Sequence, residues 1–81
     1  PLHLIVGCLT TKDPRTLIEP FRDLAASVGT VPVPDHDCFS PEGLAAIAEG
    51  LDLPATPFAS VEEALAALPE EQAALIAGSL Y

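Results

Sequence analysis

His3-Leu4-Ile5-Val6-Gly7 is followed six residues later by Asp13-Pro14, and this stretch decides the fold class. Five residues without alternation between polar and apolar read as a strand buried on both faces, because a half-exposed strand would show a period of two. Asp13-Pro14 reads as the start of a helix, with a side-chain acceptor at the cap and a proline at the first helical position. Leu17, Phe21, Leu24 and Val28 then recur at helical spacing until Gly29, which predicts a first helix running from Pro14 to that glycine. Pro20 falls inside it and removes one backbone hydrogen bond, so a kink or a frayed first turn is expected.

The same alternation continues outward. Thr30-Val31-Pro32-Val33 predicts a second strand, and its prolines argue against a central place in a sheet unless it is bulged. A polar loop, Pro34 to Phe39, leads to Ser40-Pro41, again a cap followed by proline. Leu44, Ile47, Ala48 and Leu51 form the stripe of an amphipathic helix. Ala55 to Phe58 predicts a third strand. Ser60-Val61-Glu62-Glu63 matches a capping box, with Val61, Ala64, Leu65 and Leu68 as the next stripe. Pro69-Glu70-Glu71 breaks that helix, and Ala73-Ala74-Leu75-Ile76-Ala77 predicts a fourth strand running into Gly78-Ser79. Strands separated by helical crossovers imply an α/β fold: a doubly wound parallel sheet with helices on both faces, in three layers. The chain has no internal repeat and no low-complexity tract.

Composition limits what such a domain can do. The 81 residues form one small domain, 1–81, and 49% of them are hydrophobic, so the chain folds rather than staying disordered. A core of this size is marginal alone, which points to a missing partner or neighbouring domain. Twelve acids against three bases give a net charge of −9, which argues against a nucleic-acid binder. No apolar run approaches the ~20 residues of a membrane span, and no basic stretch leads into a secretory segment at the start. A chain that opens on Pro1 and closes on Gly78-Ser79-Leu80-Tyr81 reads as a piece of something longer. Cys8 and Cys38 are too few for a disulfide framework and are expected as free thiols in a reducing, cytoplasmic compartment.

In an open parallel sheet, ligands bind beyond the carboxyl ends of the strands, near a switch in strand order. Two segments arrive there: Gly7-Cys8-Leu9-Thr10-Thr11-Lys12-Asp13 after the first strand and Gly78-Ser79 after the fourth. Glycines permit close backbone approach, while hydroxyls and a lysine suit an anion or carboxylate. The plainer reading is that the glycines turn corners, Asp13 caps a helix and Lys12 is solvated. Lys12, Arg15 and Arg22 are the only bases. Arg15, Glu19 and Arg22 have the spacing of a surface ion-pair ladder, whereas Lys12 and Arg15 are also placed to hold an anionic substrate. Asp35-His36-Asp37-Cys38 has metal-ligand residue types, but neighbours in sequence rarely converge on one ion and no second cluster completes a set. His3 is assigned to packing. The sequence has no G-x-x-x-x-G-K-[ST], no G-x-G-x-x-G and no G-x-S-x-G. No complete active site is present.

At the two strand ends, Gly7-x-Leu9-x-x-Lys12-Asp13 and Gly78-Ser79-Leu80-Tyr81, the sequence resembles the C-terminal domain of folylpolyglutamate synthase/dihydrofolate synthase, a family of the Mur ligase superfamily. Val31-Pro32-Val33-Pro34, the helix from Ser40 and Ser60-Val61-Glu62-Glu63-Ala64-Leu65 follow in the family's order. The resemblance spans this whole chain but only a minor part of the enzyme's. It implies an ATP-dependent, ADP-forming ligase that activates a folate carboxylate as an acyl phosphate and joins it to glutamate. Dihydropteroate is the acceptor in one reaction and glutamylated folates in the other. ATP and Mg²⁺ would be bound mainly by the preceding central domain, so the partners are small-molecule substrates and the enzyme's own N-terminal and central domains.

Lys12, Asp13 and Ser79 become candidates for the cleft wall, with no catalytic and no metal-binding residue in this piece. A D-x-A-H-N-P strand expected just upstream would lie beside strand four, which implies the order four-one-two-three and a strand four that here presents an unpaired edge or pairs with another molecule. Cys8 stands where the family often has Met, and Asp35-His36-Asp37 follows Pro34 where the family often has an arginine. Two other readings stay open: another Mur-type amide ligase, or a free-standing acidic α/β binding or regulatory module of receiver-like topology. The last lacks a clustered acidic pocket at the first strand end, where Val6-Gly7-Cys8 stands.

Overall fold

In the computed structural model, which describes residues 2–68 and 73–78, four parallel strands form one sheet in the order β3-β2-β1-β4. The strands are β1 (Leu2–Gly7), β2 (Ala25–Thr30), β3 (Ala55–Pro57) and β4 (Ala73–Gly78). The helices are α1 (Pro14–Ile18), α2 (Pro41–Gly50) and α3 (Val61–Ala66). This is the expected α/β class, and the order is the expected one read from the other edge.

Period-two alternation along β1 sorts the core into two clusters. Leu4 and Val6 pack with Ile18, Val28, Ala48 and Leu53 on the face carrying α1 and α2. Ile5 packs with Val31 and Ala64 on the face carrying α3. A chain that winds outward through β1, β2 and β3 keeps its crossovers on one face, and the return from β3 to β4 must cross on the other. The second face is thinly covered, since a six-residue helix is only about 9 Å long.

The first crossover differs from the expectation. The helix predicted to reach Gly29 ends at Ile18, followed by a single 3₁₀ turn over Glu19–Phe21. Pro20 has no N–H to continue the ladder, so it stops the helix rather than kinking it. Leu24 and Val28, assigned to the helical stripe, separate: Leu24 is 66% exposed in the turn and Val28 is buried in β2. The second strand therefore starts at Ala25 and ends at Thr30, not at Thr30 to Val33. Because Pro32 and Pro34 lie beyond it, β2 takes an internal place between β1 and β3, against the expectation from its prolines. Val31 and Val33 are nonetheless buried, and the Val31 N–H donates to the Val6 carbonyl at 2.9 Å.

The remaining elements follow the sequence closely. Ser40 Oγ accepts from the Gly43 N–H at 3.0 Å and Ser60 Oγ from the Glu63 N–H at 3.1 Å, so both predicted caps form. Thr30, the one buried polar residue of the described core, donates its hydroxyl to the Pro41 carbonyl at 2.6 Å, tying β2 to the start of α2. Arg22 does not join a ladder with Arg15 and Glu19. With the helix broken at Pro20, its guanidinium reaches Asp52 across the fold at 2.9 Å. Both side chains are well exposed, so the pair contributes little to stability.

Candidate site at the carboxyl ends of β1 and β4

The chain leaves β1 toward β2 on one side, while β4 returns to pair with β1 on the other, so strand order reverses between β1 and β4. That crevice is the topological switch point of the sheet. At its mouth Gly7 and Gly78 are register partners. Gly78 has φ +99°, and a β-carbon there would lie 2.2 Å from the Gly7 carbonyl oxygen and 3.0 Å from Leu17 Cδ2. Only glycine can close the two strands at this point.

A cleft of about 470 Å³ opens at this end, lined by Lys12, Asp13, Thr16, Leu17 and Gly78. Of the three cleft candidates, Lys12 and Asp13 line this opening together with Gly78, and Ser79 lies outside the described residues. The loop bearing Lys12 is held from the side. Phe39 N–H donates to the Cys8 carbonyl at 2.9 Å and Thr10 N–H to the Asp37 carbonyl at 3.1 Å, while Leu9 and Cys38 form an isolated bridge. The strand-end loops after β1 and β2 are thus stitched together. Within the second of them, Asp35 takes a left-handed φ of 63°, and Pro34 to Asp37 are exposed.

The side chains of the cleft have different tasks. Asp13 Oδ1 accepts from the Arg15 N–H at 3.0 Å and Oδ2 from the Thr16 hydroxyl at 2.9 Å. The Thr16 hydroxyl first, and the Arg15 N–H second, hold its carboxyl below the usual carboxylate range. The carboxylate is thereby committed to capping α1, so Asp13 shapes the cleft rather than offering a free base. Lys12 is exposed and makes no ion pair among the described residues. Leu17 supplies an apolar wall. The chemistry that the described residues offer is anion or carboxylate binding by the Lys12 ammonium group, with the Thr16 hydroxyl and the Asp13 carboxylate bonded to each other in the cap of α1.

Neither cysteine is bonded to the other. Cys8 is buried and Cys38 half-buried, both as free thiols. Burial, and then the nearby Asp13 carboxylate, push the Cys8 thiol up, with Lys12 opposing in part. A thiolate is the reactive form, so Cys8 is doubly protected. Native protein treated with an aromatic disulfide reagent is expected to release one equivalent quickly from Cys38 and the second, from Cys8, only as the fold opens. In denaturant the two rates should merge, and a single rate in native buffer would contradict the burial of Cys8. Among the described residues no three His, Cys, Asp or Glu side chains gather as a metal site.

A second groove, which sequence reasoning missed, lies on the α3 face, with a volume of about 490 Å³. His3, Ser27 and Thr56 bring polar groups to it, opposite Phe58, Ala64 and Leu68. The His3 ring and the Ser27 hydroxyl share a hydrogen bond, allowed by the register His3↔Ser27. With β2 placed five residues too late, this register was not visible in the sequence. No family model, curated protein or solved structure matches the chain.

Proposed function

We propose that the chain is part of the C-terminal domain of an ATP-dependent, ADP-forming folate–glutamate ligase of the folylpolyglutamate synthase/dihydrofolate synthase type. In this reading it lines the nucleotide and glutamate cleft and is inactive alone. The observation that carries the reading is the switch-point cleft, where the Gly7 to Asp13 loop and Gly78 come together at the carboxyl ends of adjacent strands. These are the segments on which the resemblance rests. The chemistry of the cleft agrees with a binding wall, since the Lys12 ammonium can donate to a carboxylate or phosphate oxygen and the Asp13 carboxylate is held in the cap of α1.

Acyl-phosphate formation needs Mg²⁺ and a phosphate-cradling loop, and this reading assigns both to the preceding central domain. The chain's own contribution is to position Lys12 on a loop tied to the loop after β2 and to present Leu17 as an apolar wall beside it. Among the described strands β4 pairs with β1 alone, which also supports the reading, since the family's upstream strand would lie on its other side. The free thiols of Cys8 and Cys38 agree with a cytoplasmic, reducing setting. Among the described residues no helix is long and apolar enough to cross a membrane.

The test is on the native polypeptide isolated from its source. An intact mass several times 8.4 kDa, upstream peptides bearing D-x-A-H-N-P, and ADP release that requires both a folate or dihydropteroate and glutamate are expected. The 81-residue chain should release no ADP. ATP turnover by that chain would overturn the assignment of the chemistry. ADP release driven by nucleotide-linked peptides instead of folates would move the protein to another Mur-type amide ligase. A native chain bounded by Pro1 and Tyr81 would leave a free-standing binding module.

A further inference from the structure

The two edges of the sheet are built differently. β3 has three residues, Ala55–Pro57, and is preceded by Pro54. Two prolines without N–H groups, on so short a strand, leave almost nothing for another chain to pair with. β4 has six residues, Ala73-Ala74-Leu75-Ile76-Ala77-Gly78, with no charge and no proline. It runs in unbroken register with β1, from Leu2↔Ala73 to Gly7↔Gly78, and pairs with no other described strand. Each face leaves a large apolar side chain partly open: Leu75 is 39% and Ile76 48% exposed. Charges, prolines, bulges and brevity are the usual protections of an edge, and β4 has none of them.

We propose that in the 81-residue chain β4 pairs antiparallel with β4 of a second copy, giving a closed dimer with a continuous eight-stranded sheet. The choice of occupant follows from the edges themselves. Two copies can meet edge to edge as β3 with β3, β3 with β4, or β4 with β4. The prolines of β3 remove the first two, including the head-to-tail contact that would grow into a filament. The remaining contact is isologous and closes on itself.

The register also follows. Antiparallel strands related by a twofold axis lie with that axis perpendicular to the sheet, so like faces stay together and opposed residues must have the same parity. Centring the axis on Leu75 places Leu75 against Leu75 of the second copy on the α1/α2 face. It places each Ile76 against Ala74 of the other copy on the α3 face, a large side chain over a small one. The strand carries no charge, so this contact buries none of the net −9 that each copy bears. Those charges repel through solvent, and added salt screens them and strengthens the dimer. A single six-residue strand pair is smaller than the ~1,200–2,000 Å² of a standard stable interface, so the dimer is a weak one.

The proposal does not rest on the ligase reading. In that reading an upstream strand of a longer polypeptide takes the same edge and displaces the second copy, so the two statements concern chains of different length. The test is sedimentation equilibrium of the 81-residue chain from about 10 μM to 1 mM, at low and at high salt. The expected result is a rise from the 8.4 kDa monomer to twice that mass and no further, with the midpoint moving to lower concentration as salt is added. Leu75→Lys should hold the chain monomeric throughout, while Leu24→Lys, on an exposed residue outside β4, should dimerise as the parent does. Circular dichroism of both variants checks that the fold is kept. In a mixture of isotope-labelled and unlabelled chains, filtered NOEs should join Leu75 methyls of the two copies and Ile76 to Ala74. A monomer at every concentration, masses climbing beyond two copies, a dimer that survives Leu75→Lys, or intermolecular NOEs outside β4 would each overturn the proposal.

Discussion

Gly78→Ala is expected to detach β4 from β1, with a loss of about 2–4 kcal/mol in unfolding free energy. Two effects act at once. The backbone at Gly78 sits at φ +99°, a region that costs a residue with a β-carbon about 1–3 kcal/mol. The added carbon also falls 2.2 Å from the Gly7 carbonyl oxygen, which is backbone in a buried strand and cannot rotate away. Relief requires β4 to shift, which breaks the Gly7↔Gly78 end of the ladder and widens the cleft. Gly50 provides the opposite case. No atom lies within 4 Å of a β-carbon built there, and it ends α2 rather than a strand. Gly50→Ala should be neutral or stabilise by up to about 1 kcal/mol, because alanine loses less backbone entropy on folding. Urea midpoints of the two variants check both signs, and amide exchange along β1 checks the local loosening. An unchanged midpoint and unchanged exchange for Gly78→Ala would refute the role given to this glycine.

The same glycine explains why the site was partly legible in the sequence. Gly78 and the Gly7 to Asp13 segment each follow an apolar run, and topology alone brings the ends of β1 and β4 together. What that placement needs is only that the last crossover take the face opposite to α1 and α2. The division of labour inside the cleft was less accessible. Asp13 was recognisable as a cap, but only the positions of Thr16 and the Arg15 N–H show that both its oxygens are occupied. Ser79 follows Gly78 directly in sequence and lies outside the described residues.

The first crossover was misread for a physical reason. Leu17, Phe21, Leu24 and Val28 satisfy a helical period, and the same window holds Val28, Gly29 and Thr30, which suit a strand equally well. Periodicity could not separate the two, and Pro20 decided between them. A proline in mid-pattern ends the helical ladder, while the next prolines, Pro32 and Pro34, set the far limit of β2. The buried strand had to fall between them. Reading the prolines as boundaries of β2, rather than as members of it, would also have exposed the pairing of His3 with Ser27 and the groove beside it.

Leu4→Ala is the other substitution expected to approach the limit of the fold. Leu4 is fully buried at the middle of β1, the strand that holds the sheet together by pairing with both β2 and β4. Its side chain lies in the larger cluster, among Val6, Ile18, Val28 and Ala48 from the strands and both helices of that face, and Leu53 from the segment between α2 and β3. Removing three carbons there loses their transfer energy and leaves a cavity, together about 3 kcal/mol within the ~2–5 kcal/mol seen for such changes. A domain of this length has a total stability of roughly 4–12 kcal/mol, so that single loss removes a quarter or more of it. Leu75 is one register step away on β4 and directly opposite Leu4, yet it is 39% exposed. Leu75→Ala should therefore cost well under half as much in the monomer. The comparison discriminates between two pictures of the sheet. If stability is centred on β1 beneath α1 and α2, the two leucines differ sharply in urea midpoint at concentrations where the chain is monomeric. If β4 is an equal partner in the core, with its bare face covered in solution by the rest of the same chain, the two substitutions lower the midpoint equally.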